Sequence, residues 1–364
     1  MSVRSVDLDM FLDMAGTIPV IDVRSPAEYE HAHIPLAHNI PLFNDDERAL
    51  VGTLYKQSGK KEAVLKGLEF FAPRMKDIIF KAKEIALKFG NSEEESLLVH
   101  CWRGGMRSAG VAWLLDLYGF RVFTLAGGYK SFRRWVIESF SQPLDLMILG
   151  GYTGSRKTEI LTSLKAKYRR HVIDLEGLAS HRGSAFGSYG MGRQPTQEMF
   201  ENLLATELLK QKRLIKGRQG GSDDTTERDL RIWIEDESQR IGSVNIPQGF
   251  WTQMREQPVI FIETPFEERL ENICRDYGGI EKDLLVGSIT RIRKRLGGLD
   301  CKNAIGKVIE DDIKGSFEIL LRYYDKQYEK SLSNRPSDMK NVSRISIRDK
   351  KPELAAEELL NYES

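Results

Sequence analysis

The chain has 364 residues, of which 41% are hydrophobic and 29% charged, and its formal net charge at pH 7 is +1. This length predicts two domains and a tail, and the near-zero charge excludes a general attraction of the whole surface to nucleic acid. No apolar stretch approaches the ~20 residues of a membrane span and no apolar leader opens the chain, so we expect a cytoplasmic protein.

The first segment with recognisable chemistry is a short apolar run, residues 97–100, that predicts a buried strand and ends at a cysteine. The loop after it reads Cys101-Trp102-Arg103-Gly104-Gly105-Met106-Arg107-Ser108. Two glycines let the backbone curl so that its N–H groups point inward, and an amphipathic helix, residues 109–118, begins beside them. Arg103 and Arg107 add positive charge. This pattern favours the thiolate form of Cys101 and the binding of an oxyanion.

A cysteine at the end of a buried strand is most often a small core residue. Two consecutive glycines and two arginines within six residues are not needed in a core, so the pattern favours a nucleophilic Cys101. Cys274 and Cys301 lack close cysteine or histidine partners. We therefore expect no zinc site and no disulfide framework.

Three separated segments resemble the rhodanese family in the expected order. They are Ile21-Asp22-Val23-Arg24-Ser25-Pro26 with Glu28-Tyr29, then His33-Ile34-Pro35-Leu36-Ala37-His38-Asn39-Ile40, then Leu125-Ala126-Gly127-Gly128-Tyr129. The resemblance implies an α/β domain with a parallel sheet over residues 1–141, in which Cys101 forms a persulfide or handles selenium. The Cys-x5-Arg spacing from Cys101 to Arg107 is also typical of cysteine phosphatases of the rhodanese-like type, and that alternative stays open.

A second chemical signal follows a predicted buried strand, residues 144–149. The loop Gly150-Gly151-Tyr152-Thr153-Gly154-Ser155-Arg156-Lys157-Thr158 runs into a predicted helix, residues 159–168, which is the context of a phosphate-binding loop. Loop amides would wrap a diphosphate, Lys157 would reach its outer oxygens, and Thr158 would be placed for Mg²⁺. The predicted diphosphate-binding residues are Gly151, Thr153, Gly154, Ser155, Arg156, Lys157 and Thr158.

Arg156 departs from the phosphate-loop pattern, which has glycine before the lysine. A glycine permits a tight backbone path close to the phosphates. An arginine either shifts the loop or swings its guanidinium toward or away from the ligand. A glycine-rich turn without a ligand is the alternative.

Acidic residues follow two further apolar runs in this region. Glu176 follows residues 172–175, and Glu235 and Glu237 follow residues 232–234, so both groups are predicted at the binding edge of a parallel sheet. Either can hold Mg²⁺ beside Thr158, although each carboxylate can equally cap a helix or pair with an arginine. The residues after Glu176 predict an exposed ligand loop and add the candidates His181, Arg182 and Ser184.

The same region resembles the tRNA 2-selenouridine synthase family. The matching segments are residues 172–187, Gln194-Pro195-Thr196-Gln197 with Phe200-Glu201-Asn202, Trp233-Ile234-Glu235-Asp236-Glu237-Ser238 with Ile241-Gly242, and Val51-Gly52-Thr53-Leu54-Tyr55-Lys56. The resemblance covers residues from about 20 to about 300, in both predicted domains.

That resemblance implies an enzyme that replaces the sulfur of wobble 2-thiouridine in tRNA by selenium from selenophosphate. It also implies an S-geranyl intermediate made from geranyl diphosphate, whose diphosphate would lie in the phosphate loop. Cys101, Arg103 and Arg107 would be catalytic. The remaining selenophosphate loop would be Trp102, Gly104, Gly105, Met106 and Ser108.

A tRNA partner requires local basic patches on a nearly neutral chain. The candidate runs lie on predicted helices: residues 165–171, residues 210–218 and residues 291–295. Any one of them is more often a solvated helix face.

The predicted organisation is an α/β protein with an N-terminal rhodanese-like domain, residues 1–141, and a phosphate-loop domain that binds tRNA and diphosphate, residues 142–310. A helical C-terminal extension, residues 311–364, shows no chemistry, and residues 217–226 predict a mobile loop. The alternatives are a sulfurtransferase or cysteine phosphatase fused to a small kinase, and a non-catalytic RNA-binding protein.

Overall fold

The computed structural model describes residues 3–89, 96–219, 230–335, 342–348 and 351–363. It separates into two compact units, residues 1–139 and residues 140–364. Most of the segment predicted as a mobile loop, residues 217–226, lies outside the described residues. Within the described ranges, no helix is both long enough and apolar enough to cross a bilayer.

The first unit is built on a parallel sheet whose strands are β1 (Arg4–Val6), β2 (Val20–Asp22), β3 (His38–Asn39), β4 (Ser96–His100) and β5 (Arg121–Leu125). The strand order is β1-β5-β4-β2-β3. Its helices are α1 (Leu8–Met14), α2 (Pro26–His31), α3 (Asp45–Gln57), α4 (Lys60–Phe71), a 3-10 turn (Ala72–Arg74), α5 (Met75–Lys88), α6 (Met106–Tyr118) and α7 (Gly128–Ser139).

Apolar side chains of β4 explain why this strand lies at the centre of the sheet. Leu97, Leu98 and Val99 are fully buried, as expected for a strand covered on both faces. Each such side chain contributes about 1.5–3 kcal/mol when buried. Because β4 is parallel to both neighbours, its carboxyl end carries Cys101 to the edge where the loops meet.

The second unit contains a parallel sheet whose strands are β6 (Leu146–Gly151), β7 (His171–Ile173), β8 (Ile232–Glu235), β11 (Val259–Glu263) and β12 (Val342–Ser346), with β9 (Arg240–Ile241) and β10 (Val244–Asn245) forming a separate antiparallel pair. The order of the large sheet is β12-β11-β6-β8-β7. Its helices are α8 (Lys157–Ala166), α9 (Leu175–Ala179), α10 (Gln197–Gln219), α11 (Gln248–Glu256), α12 (Phe266–Tyr277), α13 (Lys282–Arg291), α14 (Arg293–Leu296), α15 (Gly298–Ile309), α16 (Ile313–Ser333) and α17 (Pro352–Glu363).

The predicted α/β class is confirmed, because each unit is built on a parallel sheet combined with helices. The last segment differs from expectation, because β12 is a strand inside residues that we expected to be helical. It pairs in parallel with β11. Buried and exposed residues alternate only briefly along β12, where Ile345 is buried and Arg344 is exposed. A mostly polar segment of five residues gives too weak a pattern for a strand prediction.

Helices α12 to α16 pack around a second apolar core beside the large sheet. Phe186, Tyr277 and Phe317 form its aromatic centre, with ring centroids 5.8–6.5 Å apart. This helical layer contacts the phosphate loop from one side and so forms a wall of the site described below.

Candidate functional site

Cys101 lies in a cradle of hydrogen-bond donors directly after β4. Its side chain is buried, and its Sγ accepts a hydrogen bond from the Gly105 N–H at 3.3 Å and lies 3.2 Å from the Ser108 Oγ. Burial opposes the charged form, but hydrogen bonds from Ser108, Gly105 and the Arg103 amide outweigh it and lower the pKa of the thiol. The predicted thiolate cradle is therefore formed by the loop and by the first turn of α6.

A glycine turn after β5 packs closely against this loop. Gly128 has a φ of +59°, and a Cβ added there would lie 2.4 Å from both the Cys101 carbonyl oxygen and the Gly104 nitrogen. The Tyr129 N–H donates to the same Cys101 carbonyl at 2.8 Å. The close approach of the two backbones requires glycine and fixes the path of the cysteine loop.

A buried ion pair, which the sequence did not single out, supports this turn. Arg24 and Asp22 are almost fully buried, and the Arg24 Nη2 lies 2.6 Å from the Asp22 Oδ2. The Arg24 guanidinium carbon lies 3.9 Å from the centre of the Tyr129 ring. The pair therefore holds Tyr129, and through it the Cys101 carbonyl, in one position.

The predicted cationic residues of the loop have different surroundings. Arg103 is exposed, whereas Arg107 is partly buried and donates through Nη1 to Glu28 Oε2 at 2.7 Å. Burial raises the pKa of Glu28, but Arg107 outweighs this effect and lowers it, so the pair is charged. Glu28 fixes the guanidinium. Trp102 and Met106 lie at the exposed mouth, with 36% and 50% of their surfaces accessible.

The predicted phosphate loop of the second unit joins β6 to α8, with Lys157 at the first position of the helix. Arg156 has φ +60° and ψ +32°, which is the left-handed conformation that a glycine adopts without strain. Its side chain turns along the helix and donates from Nε to Glu159 Oε1 at 2.9 Å. The loop thus keeps the glycine-type path, and the guanidinium is engaged by Glu159.

Lys157 and Thr158 face different partners. Lys157 Nζ donates to the Gly151 carbonyl at 2.8 Å and to the Tyr328 hydroxyl at 3.4 Å. The Thr158 hydroxyl donates to Glu176 Oε2 at 3.2 Å. A bound diphosphate would take the lysine from the Gly151 carbonyl, since a charged acceptor forms the stronger hydrogen bond.

Helix α12 braces the other side of this loop. The Asn272 Nδ2 donates to the Gly154 carbonyl at 2.9 Å, and Arg269 donates to the Thr153 carbonyl at 3.3 Å. Gly154 has a φ of +84°, and a Cβ there would lie 2.7 Å from the Arg269 carbonyl oxygen. Ser155 is buried, and its Oγ has no hydrogen-bond partner among the described residues.

Three predicted acidic residues meet beside Thr158. Oxygen atoms of Glu176, Glu235 and Glu237 lie within 4.8 Å of one another. Glu235 is fully buried, and neither of its carboxylate oxygens has a partner among the described residues. Burial, followed by the charge of Glu176, raises the pKa of Glu237 to about 8 and also raises that of Glu235. Buried oxygens without partners fit a divalent cation such as Mg²⁺.

The remaining predicted residues lie on the loop after α9. Arg182 and Ser184 line a cavity of about 430 Å³ together with Lys157, Thr158 and Glu176. Neither His181, which is 9% exposed, nor Glu235 is among the lining residues. Burial lowers the pKa of His181 and favours its neutral form. His181 is therefore buried under this loop, whereas its glycine-rich surroundings predicted an exposed position; the ligand role stays a prediction.

Helix α16 supplies cavity residues in the segment where no chemistry was expected. Tyr324 and Tyr328 line the cavity, and the Tyr324 hydroxyl accepts the Ala185 N–H at 2.9 Å. Met191 and Ile273 add apolar surface. Their helical spacing alone gave no functional signal, because tyrosines on an amphipathic helix are more often core residues.

Both units match known protein families. Residues 7–134 match the rhodanese-like domain, and residues 144–351 match the tRNA 2-selenouridine synthase AAA domain. A tRNA 2-selenouridine synthase of Pseudomonas syringae pv. tomato is 36% identical over 77% of this chain and 76% of its own length. That of Bdellovibrio bacteriovorus is 34% identical over 92% of this chain and 94% of its own length.

A solved yeast protein tyrosine phosphatase of the rhodanese family is 16% identical over 37% of this chain and 86% of its own, with a TM-score of 0.22. This similarity is too weak to bear on function. The two domain matches and the long alignments to the relatives agree with each other. The chain belongs to the tRNA 2-selenouridine synthase family.

Proposed function

We propose that this protein converts wobble 2-thiouridine of tRNA to 2-selenouridine, with geranyl diphosphate and selenophosphate as co-substrates. Family membership supports an enzyme of tRNA modification that forms selenouridine. The observation that carries the geranyl step is the cavity in which Lys157 and Thr158 face Met191, Ile273 and Tyr277. Such a site suits a ligand with a diphosphate head and an apolar body.

The first step is alkylation of the base. The sulfur of 2-thiouridine attacks C1 of the geranyl group, the C–O bond breaks, diphosphate leaves, and the N3 proton of the base goes to solvent. Loop amides and Lys157 bind the leaving diphosphate, because positive groups stabilise the charge that develops on it. The alkylated sulfur is then a better leaving group than the original thiocarbonyl.

The acidic cluster supports a metal-assisted version of this step. Thr158, Glu176, Glu235 and Glu237 would hold Mg²⁺, which would neutralise part of the diphosphate charge. The two unpartnered oxygens of Glu235 and the raised pKa of Glu237 are the features that support a cation there.

The second step uses the thiolate cradle of the first unit. The Cys101 thiolate attacks the phosphorus of selenophosphate, the P–Se bond breaks, and hydrogen selenide is released while the phosphoryl group stays on sulfur. Selenium then attacks C2 of the alkylated base, and geranyl thiolate leaves and takes up a proton. Water hydrolyses the phosphorylated cysteine to inorganic phosphate. The amides of the loop and Arg103 and Arg107 hold the phosphoryl oxygens.

The test is mass spectrometry of nucleosides from thiolated tRNA incubated with the protein while one co-substrate at a time is omitted. Geranyl diphosphate alone is expected to give S-geranyl-2-thiouridine, and both co-substrates together to give 2-selenouridine. Unthiolated tRNA is the matched control and stays unchanged. Selenouridine formed at the full rate without geranyl diphosphate would overturn the intermediate, and no change in any reaction would overturn the proposed function.

A further inference from the structure

The predicted basic runs fall into two separate groups on the second unit. We define the near patch as Arg182, Arg291, Arg293, Lys294 and Arg295. We define the far patch as Lys165, Lys167, Arg169, Lys210, Lys216 and Arg218. All of them except the partly buried Arg218 are exposed.

The near patch borders the cavity. The Arg291 Nη2 donates to the Ala185 carbonyl at 3.3 Å and to the Ser288 hydroxyl at 2.7 Å, so it ties α13 to the loop that carries Arg182. Arg182 itself lines the cavity. Helix α14 follows α13 directly and carries Arg293, Lys294 and Arg295.

The far patch lies at the opposite edge of the sheet. Helix α8 leads away from the phosphate loop for ten residues, a length of ~15 Å, and Lys165 lies in its last turn. The Arg218 Nη2 donates to the Arg169 carbonyl at 2.7 Å, so the end of α10 meets the end of α8. Residues just before β7 are at the amino edge of a parallel sheet, whereas the phosphate loop is at its carboxyl edge.

The far patch concentrates positive charge that carboxylates offset only in part, since Glu357 and Glu353 act electrostatically on Lys167. Within the described part of the chain, Lys210 is the member of this patch with a carboxylate within 4 Å, namely Glu207 at 3.4 Å. Burial, followed by the charge of Lys216, lowers the pKa of the neighbouring Lys212. On a chain with a net charge of +1, such a concentration favours a polyanionic partner.

From these placements we infer that the second unit holds tRNA at two sites: the near patch binds the phosphates that flank the wobble nucleotide, and the far patch binds the backbone of another arm. This inference rests on the proposed function. A base inside the cavity brings its neighbouring phosphates to the cavity mouth. A tRNA is much longer than α8, so one molecule can reach both edges of the sheet.

The experiment compares binding of two RNAs, a full-length tRNA and its isolated anticodon stem-loop, over a range of salt concentrations. The near-patch variant is R293Q/K294Q/R295Q, and the far-patch variant is K165Q/K167Q/K216Q. A control variant, K60Q/K61Q/K81Q, removes three exposed charges from the first unit. All three variants therefore change the net charge equally.

The near-patch variant is expected to weaken binding of both RNAs by about tenfold or more. The slope of the logarithm of the binding constant against the logarithm of the salt concentration should become shallower by ~0.7 per lost phosphate contact. The far-patch variant is expected to weaken binding of full-length tRNA and to leave the stem-loop unchanged. The two-site inference alone would be overturned if the far-patch variant weakened binding of both RNAs equally. It would also be overturned if the control variant weakened RNA binding as much as the patch variants do. Failure of the unaltered protein to bind either RNA would overturn the proposed function together with it.

Discussion

Arg335 and Asp236 form a buried ion pair in which the Arg335 Nη2 lies 2.7 Å from the Asp236 Oδ1, with side chains only 2% and 4% exposed. Asp236 lies between Glu235 and Glu237 in the chain. Arg335 Nη1 also donates to main-chain carbonyls of α11 and of the residue after it, Met254, Arg255 and Gln257, at 3.3–3.4 Å. The segment that follows α16 therefore fixes the strand end that presents the acidic cluster.

Replacing Arg335 by methionine is expected to lower the free energy of unfolding of the second unit by about 3 kcal/mol, because the buried Asp236 carboxylate loses its partner at 2.7 Å and, among the described residues, keeps only the ion pair with Arg255, at 4.0 Å. Urea unfolding measures this loss. The exposed pair of Arg322 and Glu318, at 2.9 Å, provides the control, and Arg322→Met should cost less than about 1 kcal/mol. The double variant Arg335→Met/Asp236→Asn should recover part of the stability. Equal losses for the two arginines would contradict the role assigned to Arg335.

The hydroxyl of Ser108 is expected to control the charge of Cys101. Since hydrogen bonds to the thiolate lower the pKa of Cys101, the thiol becomes reactive at a lower pH than an ordinary cysteine. Ser108→Ala removes one of these bonds, so the midpoint of the reactivity profile should move to higher pH. Alkylation by iodoacetamide, measured on the Cys101 peptide by mass spectrometry, gives that midpoint.

Ser139→Ala is the matched control for Ser108→Ala. The Ser139 hydroxyl donates to the Val136 carbonyl at the end of α7, so its removal should leave the midpoint unchanged. A midpoint that moved to lower pH in Ser108→Ala, or that moved equally in both variants, would contradict the cradle.

Gly128→Ala is expected to damage the cysteine loop, because its Cβ would lie 2.4 Å from two backbone atoms that cannot move independently. Overpacking of this kind costs about 1–3 kcal/mol, so the first unit should melt earlier and the Cys101 profile should shift toward that of an ordinary thiol. Gly190 has a similar φ of +71° but nothing within 4 Å of an added Cβ. Gly190→Ala should therefore leave the Cys101 profile intact, and an unchanged profile in Gly128→Ala would contradict the close approach.

Arg156 is expected to be replaceable by glycine with little change in stability. Glycine removes left-handed backbone strain of about 1–2 kcal/mol. Two losses oppose this gain: the partly exposed ion pair with Glu159, which contributes less than about 1 kcal/mol, and the higher conformational entropy that glycine gives the unfolded chain. Arg156→Val keeps a side chain but places a β-branched residue at φ +60°, so it should unfold more easily than Arg156→Gly. Thermal unfolding compares the two, and equal melting temperatures would contradict the left-handed assignment.

Sequence patterns predicted the local parts of both sites but not the residues that support them. The strand, glycine loop and helix around Cys101, and those around Lys157, are contiguous in the chain and therefore visible in it. Glu28 contacts Arg107 at a separation of 79 residues, and Arg335 contacts Asp236 at a separation of 99 residues. Arg24 follows β2 and contacts Tyr129, which follows β5, although β4 lies between these two strands in the sheet. A single sequence carries no sign of such pairings, because they depend on strand order and on helix packing.

The conformation at Arg156 shows the same limit at one residue. The phosphate-loop pattern has glycine at this position, so the sequence predicted that an arginine would either shift the loop or swing its guanidinium toward or away from the ligand, and both outcomes stayed open. The left-handed backbone and the Nε bond to Glu159 at 2.9 Å resolve it, because the side chain leaves the loop without changing its path. His181 shows the opposite case, since its glycine-rich surroundings suggested exposure, whereas packing against Gly187 and Gly242 buries it.

The most direct test of the proposed division of chemistry is nucleoside mass spectrometry of the complete reaction, with thiolated tRNA and both co-substrates, for Cys101→Ser and Lys157→Ala. We expect Cys101→Ser to accumulate S-geranyl-2-thiouridine without selenouridine, because the thiolate acts only in the second step. We expect Lys157→Ala to leave most of the 2-thiouridine unchanged, because diphosphate departure is lost. Selenouridine formed by Cys101→Ser at the rate of the unaltered protein would contradict the account.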